Sequence, residues 1–343
     1  MWLSSEKQVF YRATLLFSLS VLFALIFNIS TPVWSVLIVT PIVTMSKFKL
    51  DRILISIIKQ IACLTAGMII AEIFYHQFFM MWLVSALFVY FMISRAKYHE
   101  NSFILMALFF FFSFGLVKTT EGIPVENTIY SMVQITFYVV PLAWFLFTIF
   151  PENKTIALLD IEKPKTLTPI TQFQCIIVTM IISIVNLVFM LVTLESAIFC
   201  IVVINAALLT FNLSKLKQHI GLIIPIQVGG CIIGLIMNAM LLGQGTNILW
   251  TSLVIVTFSF LFIYAHFNPK YKFKSIYSYE ISLLRATFIP FTLYSESHGF
   301  NPESYLHRSY DMLVTLIFLT ILWKVGQYFA SSPKYQRLVN KEV

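Results

Sequence analysis

Long apolar runs alternate with short polar segments along almost the whole chain. A membrane-spanning helix needs about 20 consecutive apolar residues, and most of these runs approach that length. The pattern therefore predicts an all-α integral membrane protein with about twelve transmembrane helices. Whether the shortest runs, 33–45 and 281–294, cross fully or are re-entrant stays open. The predicted runs are 13–27, 33–45, 53–74, 78–93, 102–117, 128–150, 175–194, 197–213, 220–242, 248–265, 281–294 and 310–330.

The composition agrees with a membrane protein and excludes a soluble one. Of 343 residues, 59% are hydrophobic and 11% are charged, whereas a soluble domain carries about 25% charged residues. The net charge of +8 does not indicate nucleic-acid binding, because the charges form short clusters between apolar runs rather than a continuous stripe. The first run lacks the cleavage site of a signal peptide, so we read it as a transmembrane helix.

The basic residues predict the topology. If the N-terminus is cytoplasmic and the runs alternate, 18 of the 23 basic residues fall on the cytoplasmic side. Because cytoplasmic loops are enriched in Lys and Arg, this bias favours an even number of crossings with both termini inside. The 18 residues are Lys7, Arg12, Lys47, Lys49, Arg52, Arg95, Lys97, Lys154, Lys163, Lys165, Lys215, Lys217, Lys270, Lys272, Lys274, Lys334, Arg337 and Lys341.

Matched segments indicate an internal duplication. Ser46-Lys47-Phe48-Lys49 recurs 168 positions later as Ser214-Lys215-Leu216-Lys217, and Trp82 and Trp250 have the same separation. Six runs in each half make the two repeats parallel, related by an axis along the membrane normal. We therefore predict a first six-helix repeat at 1–150, a cytoplasmic linker at 151–173 and a second repeat at 174–343.

The start of the chain carries a family resemblance. Arg12 opens the first run, the turn Pro32-Val33-Trp34 follows it, and Pro41 lies near the end of the short second run. This arrangement resembles the fusaric acid resistance and aromatic acid exporter superfamily, and Arg308 followed by Asp311 is similar to the start of that family's sixth helix. The chain would be a compact branch, since it has no room for the large cytoplasmic domain that many members carry.

The resemblance implies a function. Members export aromatic carboxylic acids or similar organic anions across the inner membrane, driven by protons and aided by a periplasmic membrane-fusion adaptor. We therefore expect a multi-pass inner-membrane efflux subunit whose partners are the bilayer, such an adaptor and a small organic anion. The family often has a Gly-Thr step where this chain has Lys59-Gln60, which leaves the substrate open. Homo-oligomerisation is also open.

The sequence offers no sign of ATP hydrolysis, a cofactor or a metal site. Gly229-Gly230 and Gly234 lack the Gly-Lys-Ser/Thr ending of a phosphate-binding loop. They are typical of close helix packing instead. The cysteines lie in apolar runs without a C-x-x-C pair, so we expect neither a disulfide nor a metal ligand. An ion gradient is then the expected driving force.

Charged residues inside the runs are the candidate transport groups. A charge at the bilayer centre costs at least about 2.5 kcal/mol, so we expect Lys59, Gln60 and Arg285 to bind substrate. Glu72 and Asp311 are the candidates for proton coupling. Several alternatives stay open. Arg285 could instead form an ion pair with Glu280 or Asp311, the carboxylates could sit in headgroup water, Asp311 could pair with Arg308, and Lys324 is expected to snorkel to the interface.

Two other functions compete with transport. A membrane-embedded transferase would need titratable groups clustered at one interface, and the outer segment with Glu296, His298, Glu303 and His307 is the only cluster of that kind. Two histidines nine positions apart form a poor metal signal, so we expect no enzyme. A membrane scaffold without transport activity is the stronger alternative.

Overall fold

The described part of the chain is helical throughout. The computed structural model describes residues 4–45, 47–74, 76–95, 125–151, 172–191, 197–208, 213–243, 247–267, 279–294 and 302–330. These ranges contain helices and no strand, as the apolar pattern predicts. The helices are α1 Ser4–Ile26, α2 Val33–Val43, α3 Leu50–Ile73, α4 Phe78–Ser94, α5 Val125–Ile149, α6 Gln172–Leu191, α7 Ala197–Leu208, α8 Leu213–Ile223, α9 Gly229–Met240, α10 Ile248–Phe267, α11 Tyr279–Tyr294 and α12 Pro302–Ala330.

Five stretches of helix in these ranges are long and apolar enough to cross a membrane. Their outward faces carry large apolar side chains, with Phe137 84% and Trp144 60% exposed. Such surfaces are unfavourable in water and suit a lipid environment. The predicted run at 102–117 and nearly all of the predicted linker at 151–173 lie outside the described residues. The five stretches are Lys7–Ile26, Asn127–Ile149, Leu216–Met240, Ile248–Phe267 and Pro302–Tyr328.

Two predicted boundaries are wrong. The ninth run was expected to follow a basic loop, but Lys215 and Lys217 lie within α8, which continues through a π-helical segment, Ile224–Val228, into α9. Pro225 lies in that segment, where its missing N–H and its ring disturb the regular helical bonds. The last helix begins at Pro302 rather than 310, because a proline followed by an acidic residue is a helix start despite the polar residues after it.

Two short helices are mostly buried. Helix α2 has 11 residues and is about 16 Å long, about half the thickness of a bilayer core. Nine of its residues are buried, and Pro41 lies inside it. Helix α11 has 16 residues, ten of them buried, and contains Pro290. Side chains buried on nearly every face mean that protein, not lipid, surrounds both helices.

The chain divides into two compact units, and the first combines three early helices with three late ones. Unit 1 contains residues 1–57, 126–163 and 225–309. Within it α1 packs against α2 and α10, while α11 packs against α2, α9 and α10. Phe17 of α1 also meets Phe288 of α11 edge-on, with 4.9 Å between ring centroids. The short helices α2 and α11 thus form the interior of this unit.

Unit 2 contains residues 58–125, 164–224 and 310–343. Its described helices are the later part of α3, then α4, α6, α7, α8 and most of α12. Helix α6 packs against α4 and α7, and α7 packs against α8. The Nζ atoms of Lys217 and Lys324 lie 5.7 and 5.1 Å from the ring centre of Trp323. A tryptophan beside two lysines is typical of a membrane interface.

Helices α1 and α5 run antiparallel along most of their length. Arg12 donates to the carbonyl of Phe150 at one end, and the Ser30 and Ser131 hydroxyls are 2.9 Å apart at the other. Between them the Tyr138 hydroxyl donates to a carbonyl of α1 over 3.2 Å. Polar contacts at three heights fix the register of two otherwise apolar helices.

The turn after α1 depends on one residue with a left-handed backbone. Asn28 has a φ of 49°. Its N–H donates to the carbonyl of Leu25, and the N–H of Ile29 donates to that of Ala24, both over 3.1 Å. This pattern is a Schellman motif, in which asparagine is the usual substitute for glycine. It satisfies the last carbonyls of α1 and returns the chain towards α2.

Glycines allow α9 and α11 to pack backbone to backbone, as the sequence predicts for Gly230 and Gly234. A Cβ added at Gly230 would lie 2.6 Å from the Cβ of Ala286, and one at Gly234 would lie 2.9 Å from the carbonyl oxygen of Thr287. These distances leave no space for a methyl group. In contrast, nothing lies within 4 Å of a Cβ at Gly229, so the adjacent glycine is open.

We expect Gly230→Ala to destabilise the protein, because the methyl group would push α11 away from α9. Overpacking of this kind costs about 1–3 kcal/mol. Gly229→Ala is the matched control, and its better helix propensity should make it neutral or stabilising by up to about 1 kcal/mol. The apparent Tm in detergent micelles measures both. Equal melting temperatures for the two variants would contradict this packing.

Candidate functional site

Arg12 of α1 joins the ends of two other helices in unit 1. Its guanidinium donates to the carbonyls of Met45, over 3.3 Å, and Phe150, over 3.2 Å. These carbonyls follow the C-terminal ends of α2 and α5, where the helix dipoles are negative. The same group lies 3.9 Å from the ring centre of Phe147, and Arg12 is only 1% exposed. Its charge therefore stabilises a helix junction, which we call the Arg12 junction.

The other residues of the resembling motif shape α2. Pro32 precedes the first residue of the helix, and its carbonyl accepts a 2.7 Å hydrogen bond from the Ser35 hydroxyl. Trp34 is 1% exposed and is among the largest buried side chains. Pro41 lies one turn before the Arg12 junction. All of these motif residues therefore have structural positions in unit 1.

Arg285 lies on the short helix α11 and its Nε atom is buried. Among the described residues this atom has no hydrogen-bond partner. The predicted alternative of an ion pair with Glu280 finds no support, because the Glu280 carboxylate faces His266, with 3.5 Å between Oε2 and Nδ1. A guanidinium cannot lose its charge under ordinary conditions. A buried donor on it therefore favours an anionic ligand or water.

Unit 1 also contains Arg308, whose burial the sequence did not predict. Arg308 precedes the predicted last run, on the outer side of the predicted topology, but it lies inside α12 and is 1% exposed. It is hydrogen-bonded to the Cys231 thiol of α9, and Tyr305, one turn earlier, lies beside Asn238 of α9. The spacing of the buried residues could have revealed it. Positions 305, 308, 312, 315 and 319 alternate in steps of three and four, which is the core face of a helix.

The remaining predicted site residues belong to unit 2. Lys59 is exposed and Gln60 is half-buried, both on α3. Glu72 lies in the last turn of α3, but its side chain lies outside the described residues. Asp311 is 4% exposed, and its backbone carbonyl accepts hydrogen bonds from Thr315 at 2.9 Å and Cys200 at 3.6 Å. The chain thus places Arg285 in one unit and the other four candidates in the other.

Each unit also has a seam of small buried polar residues. Thr14 and Ser18 are buried on α1 in unit 1, and Thr179 and Ser183, each 165 positions later, are buried on α6 in unit 2. Their hydroxyls have no hydrogen-bond partner among the described residues. Trp82 of α4 joins the second seam by donating its indole N–H to the Ser183 carbonyl over 2.8 Å. Small polar residues of this kind let membrane helices approach closely.

No metal site appears in the described ranges, where no three His, Cys, Asp or Glu side chains come together. Cys175, Cys200 and Cys231 are all buried. Glu303 and His307, which the transferase alternative needed in an outer loop, lie one turn apart on α12. Their side chains are 80% and 50% exposed, with 3.6 Å between Oε1 and Nε2, so they form a surface ion pair.

Arg12→Gln should lower stability, since the variant loses a charged donor to two carbonyls and the contact with Phe147. A hydrogen bond to a charged group contributes about 1.5–3 kcal/mol, so a loss of that size is expected. Arg12→Lys should rescue only part of it, because an ammonium cannot reproduce the planar fork. Arg52→Gln, at an exposed position, is the control. The apparent Tm in detergent micelles measures the stability of each variant. If Arg12→Gln and Arg52→Gln have the same Tm, the Arg12 junction is disproved.

Comparisons with known proteins identify no family for this chain. No protein-family model matches this chain, and neither the curated proteins nor the solved structures include a significantly similar one.

Proposed function

We propose that the protein is an inner-membrane efflux subunit that exports small organic anions, aromatic carboxylic acids foremost, in exchange for protons. The buried Arg285 Nε on α11 carries this proposal. A permanent cation is expensive inside a membrane. It is retained where a ligand or another group neutralises it, and none of the described carboxylates does so here. A carboxylate matches the fork of a guanidinium and would complete its hydrogen bonds.

The helix that carries Arg285 also favours transport. Discontinuous or short helices, often broken by proline or glycine, commonly border the binding sites of secondary transporters. Helix α11 is short, contains Pro290 and packs against the still shorter α2 in the interior of unit 1. The π segment with Pro225 interrupts the neighbouring helix. A rigid scaffold protein has no need for three irregular elements in one place.

The resemblance to the aromatic acid exporters supplies the substrate class by analogy. Arg12, Pro32, Trp34 and Pro41 form its specific part, and their shared role in unit 1 is in keeping with a family architecture. By the same analogy we propose a periplasmic membrane-fusion adaptor as partner. Lys59 and Gln60 are proposed to guide the anion, since a lysine on α3 attracts it electrostatically.

Proton coupling needs a carboxylate that gains and loses its proton during transport. We propose Glu72 and Asp311 for this role. Asp311 is almost fully buried, which is unfavourable for the ionised form. Glu72 lies at the end of α3, near the outer side of the proposed topology. The aspartate gains support from its burial, whereas Glu72 rests on the sequence.

We further propose twelve crossings in two parallel six-helix repeats with both termini inside. Unit 1 holds the first, second and sixth helices of the first repeat with the third to fifth of the second. In unit 2, the described helices include the third and fourth of the first repeat with the first and second of the second repeat. If the first and second repeats are exchanged, the helix positions found in unit 1 become those found among the described helices of unit 2, together with the fifth run of the first repeat and the sixth of the second. The contacts α1–α10 and α4–α6 correspond in the same way, and the hydroxyl pairs 165 positions apart add support.

A reporter fused at Lys163 should be cytoplasmic, and one fused within 296–304 should be periplasmic. The positive-inside bias gives this expectation. A phosphatase reporter, active only outside, and a fluorescent reporter, fluorescent only inside, measure it in whole cells. Two fusions that report the same side would refute the topology.

Inverted vesicles with the protein and an adaptor should accumulate labelled p-hydroxybenzoate when a proton gradient is imposed. Arg285→Gln should reduce the initial rate by about 10- to 100-fold, since it removes a buried charged contact of about 1.5–3 kcal/mol. Arg285→Lys should recover part of the rate through its charge, and Lys59→Gln should also lower it. Arg95→Gln, exposed at the end of α4, is the matched control and should match the wild type.

Two results would oppose the proposal. Transport that continues unchanged after the gradient is collapsed, or in a Glu72→Gln and Asp311→Asn double variant, would exclude proton coupling through these groups. A wild-type protein that inserts correctly and moves no organic acid would favour the scaffold alternative.

A further inference from the structure

A histidine and a glutamate meet at one end of unit 1. His266 lies in the last turn of α10 and Glu280 in the first turn of α11. Their Nδ1 and Oε2 atoms are 3.5 Å apart, and the side chains are 23% and 10% exposed. The pair therefore joins two consecutive helices through ionisable groups that are largely removed from solvent.

The pair carries opposite charges when His266 is protonated and Glu280 is ionised. In that state it is an ion pair largely removed from solvent. When the imidazole loses its proton, the buried Glu280 carboxylate loses this opposite charge, which is costly. Protonation and the packing of α10 on α11 are therefore linked.

Other ionisable groups lie on the helices around the pair. Helices α1, α2 and α9 pack against α10 or α11. Helix α1 carries Glu6, Lys7, Tyr11 and Arg12, and its exposed Lys7 precedes Phe10 by one turn. Helices α2, α9, α10 and α11 contain one carboxylate, Glu280, and one imidazole, His266. Tyr279 precedes Glu280, and burial and then the glutamate charge raise the pKa of its hydroxyl. The other ionisable groups on these four helices are Tyr264, which stacks on Phe260 near α1, Tyr294 at the far end of α11, Cys231 of α9 and Arg285.

The pair lies at the end of the unit that contains the start of α1. Phe10 of α1 meets Phe260 and Tyr264 of α10, with ring centroids 4.9 and 6.2 Å away. His266 is two residues beyond Tyr264, towards the C-terminal end of α10. This is the end at which the proposed topology faces the cytoplasm. Arg285 follows Glu280 by five residues on the same helix.

We propose that His266 and Glu280 form the proton-release site of the exporter. This inference rests on the proposed function and concerns unit 1 alone. In each transport cycle one proton is held on the His266 imidazole beside ionised Glu280. It leaves to cytoplasmic water, which restores the neutral imidazole, while one anion moves outwards. Glu280 and Arg285 lie on the same helix, α11, so the proton is released from the element that is proposed to bind the anion.

Transport by proteoliposomes tests the coupling. Glu280→Gln and His266→Gln should each lower accumulation of labelled p-hydroxybenzoate under a proton gradient by about tenfold, the usual size of coupling between two ligands. Exchange of labelled for unlabelled acid without a gradient should stay within about twofold of wild type, since it needs no net proton movement. The matched controls are Glu303→Gln and His307→Gln, which break the exposed pair on α12 and should change neither activity.

A second measurement does not depend on transport. The apparent Tm of the wild type, both single variants and the double variant is measured at about pH 5.5 and pH 9, on either side of the usual range of histidine. The effects of the single variants should be non-additive at the lower pH, where the ion pair exists, and additive at the higher. Additive effects at both pH values would overturn the proton site.

The two measurements separate the hypotheses. A wild type that transports normally, with Glu280→Gln indistinguishable from it under a gradient, overturns the coupling role and leaves the exporter proposal intact. A wild type that moves no acid overturns the exporter proposal and the coupling role with it. In that case the melting temperatures still decide whether the pair binds a proton.

Discussion

The close approach of α9 and α11 is the constraint on which unit 1 depends. Because Gly230 and Gly234 have no side chains, the backbone of α11 lies directly against α9 at Ala286 and Thr287. This contact supports a helix too short to gain much from lipid on its own. The same helix holds Glu280 near one end and Arg285 one turn further in. The position of α11 therefore determines where the side chains of Glu280 and Arg285 lie.

The sequence predicted the class of fold because burial in lipid leaves a strong signal. The helical nature of the apolar runs and the close packing at Gly230 and Gly234 had their expected structural counterparts, whereas the packing predicted for Gly229 is wrong, because nothing lies within 4 Å of a Cβ there. Each of these depends on local composition, which a single sequence displays directly. The resembling residues Arg12, Pro32 and Trp34 also occupy buried structural positions, although the junction that Arg12 forms was not anticipated.

The details that were missed depend on contacts between distant segments. Arg308 precedes the predicted last run and was therefore placed at a polar helix start, although the spacing of Tyr305, Arg308 and Met312 is that of a core face. The His266–Glu280 pair is invisible in the sequence, since two ordinary ionisable residues 14 positions apart carry no spacing signal. Pro225 is visible in the sequence, but it does not show that the helix continues through a π segment. The positions of the candidate transport groups are the hardest to predict from sequence. These charged residues lie within apolar runs, whereas most charged residues lie outside them.

The contact between α1 and α10 has a consequence for how the protein is made. Helix α1 leaves the ribosome more than 200 residues before its partner α10. At about 5–20 residues per second, the delay is roughly ten to forty seconds. During that interval Phe10 would face lipid or the insertion machinery rather than Phe260 and Tyr264 of α10. The first half of the chain must therefore remain in the bilayer without its packing partners until the second half is translated. Quality-control proteases of the membrane would meet this half-made state in every molecule synthesised.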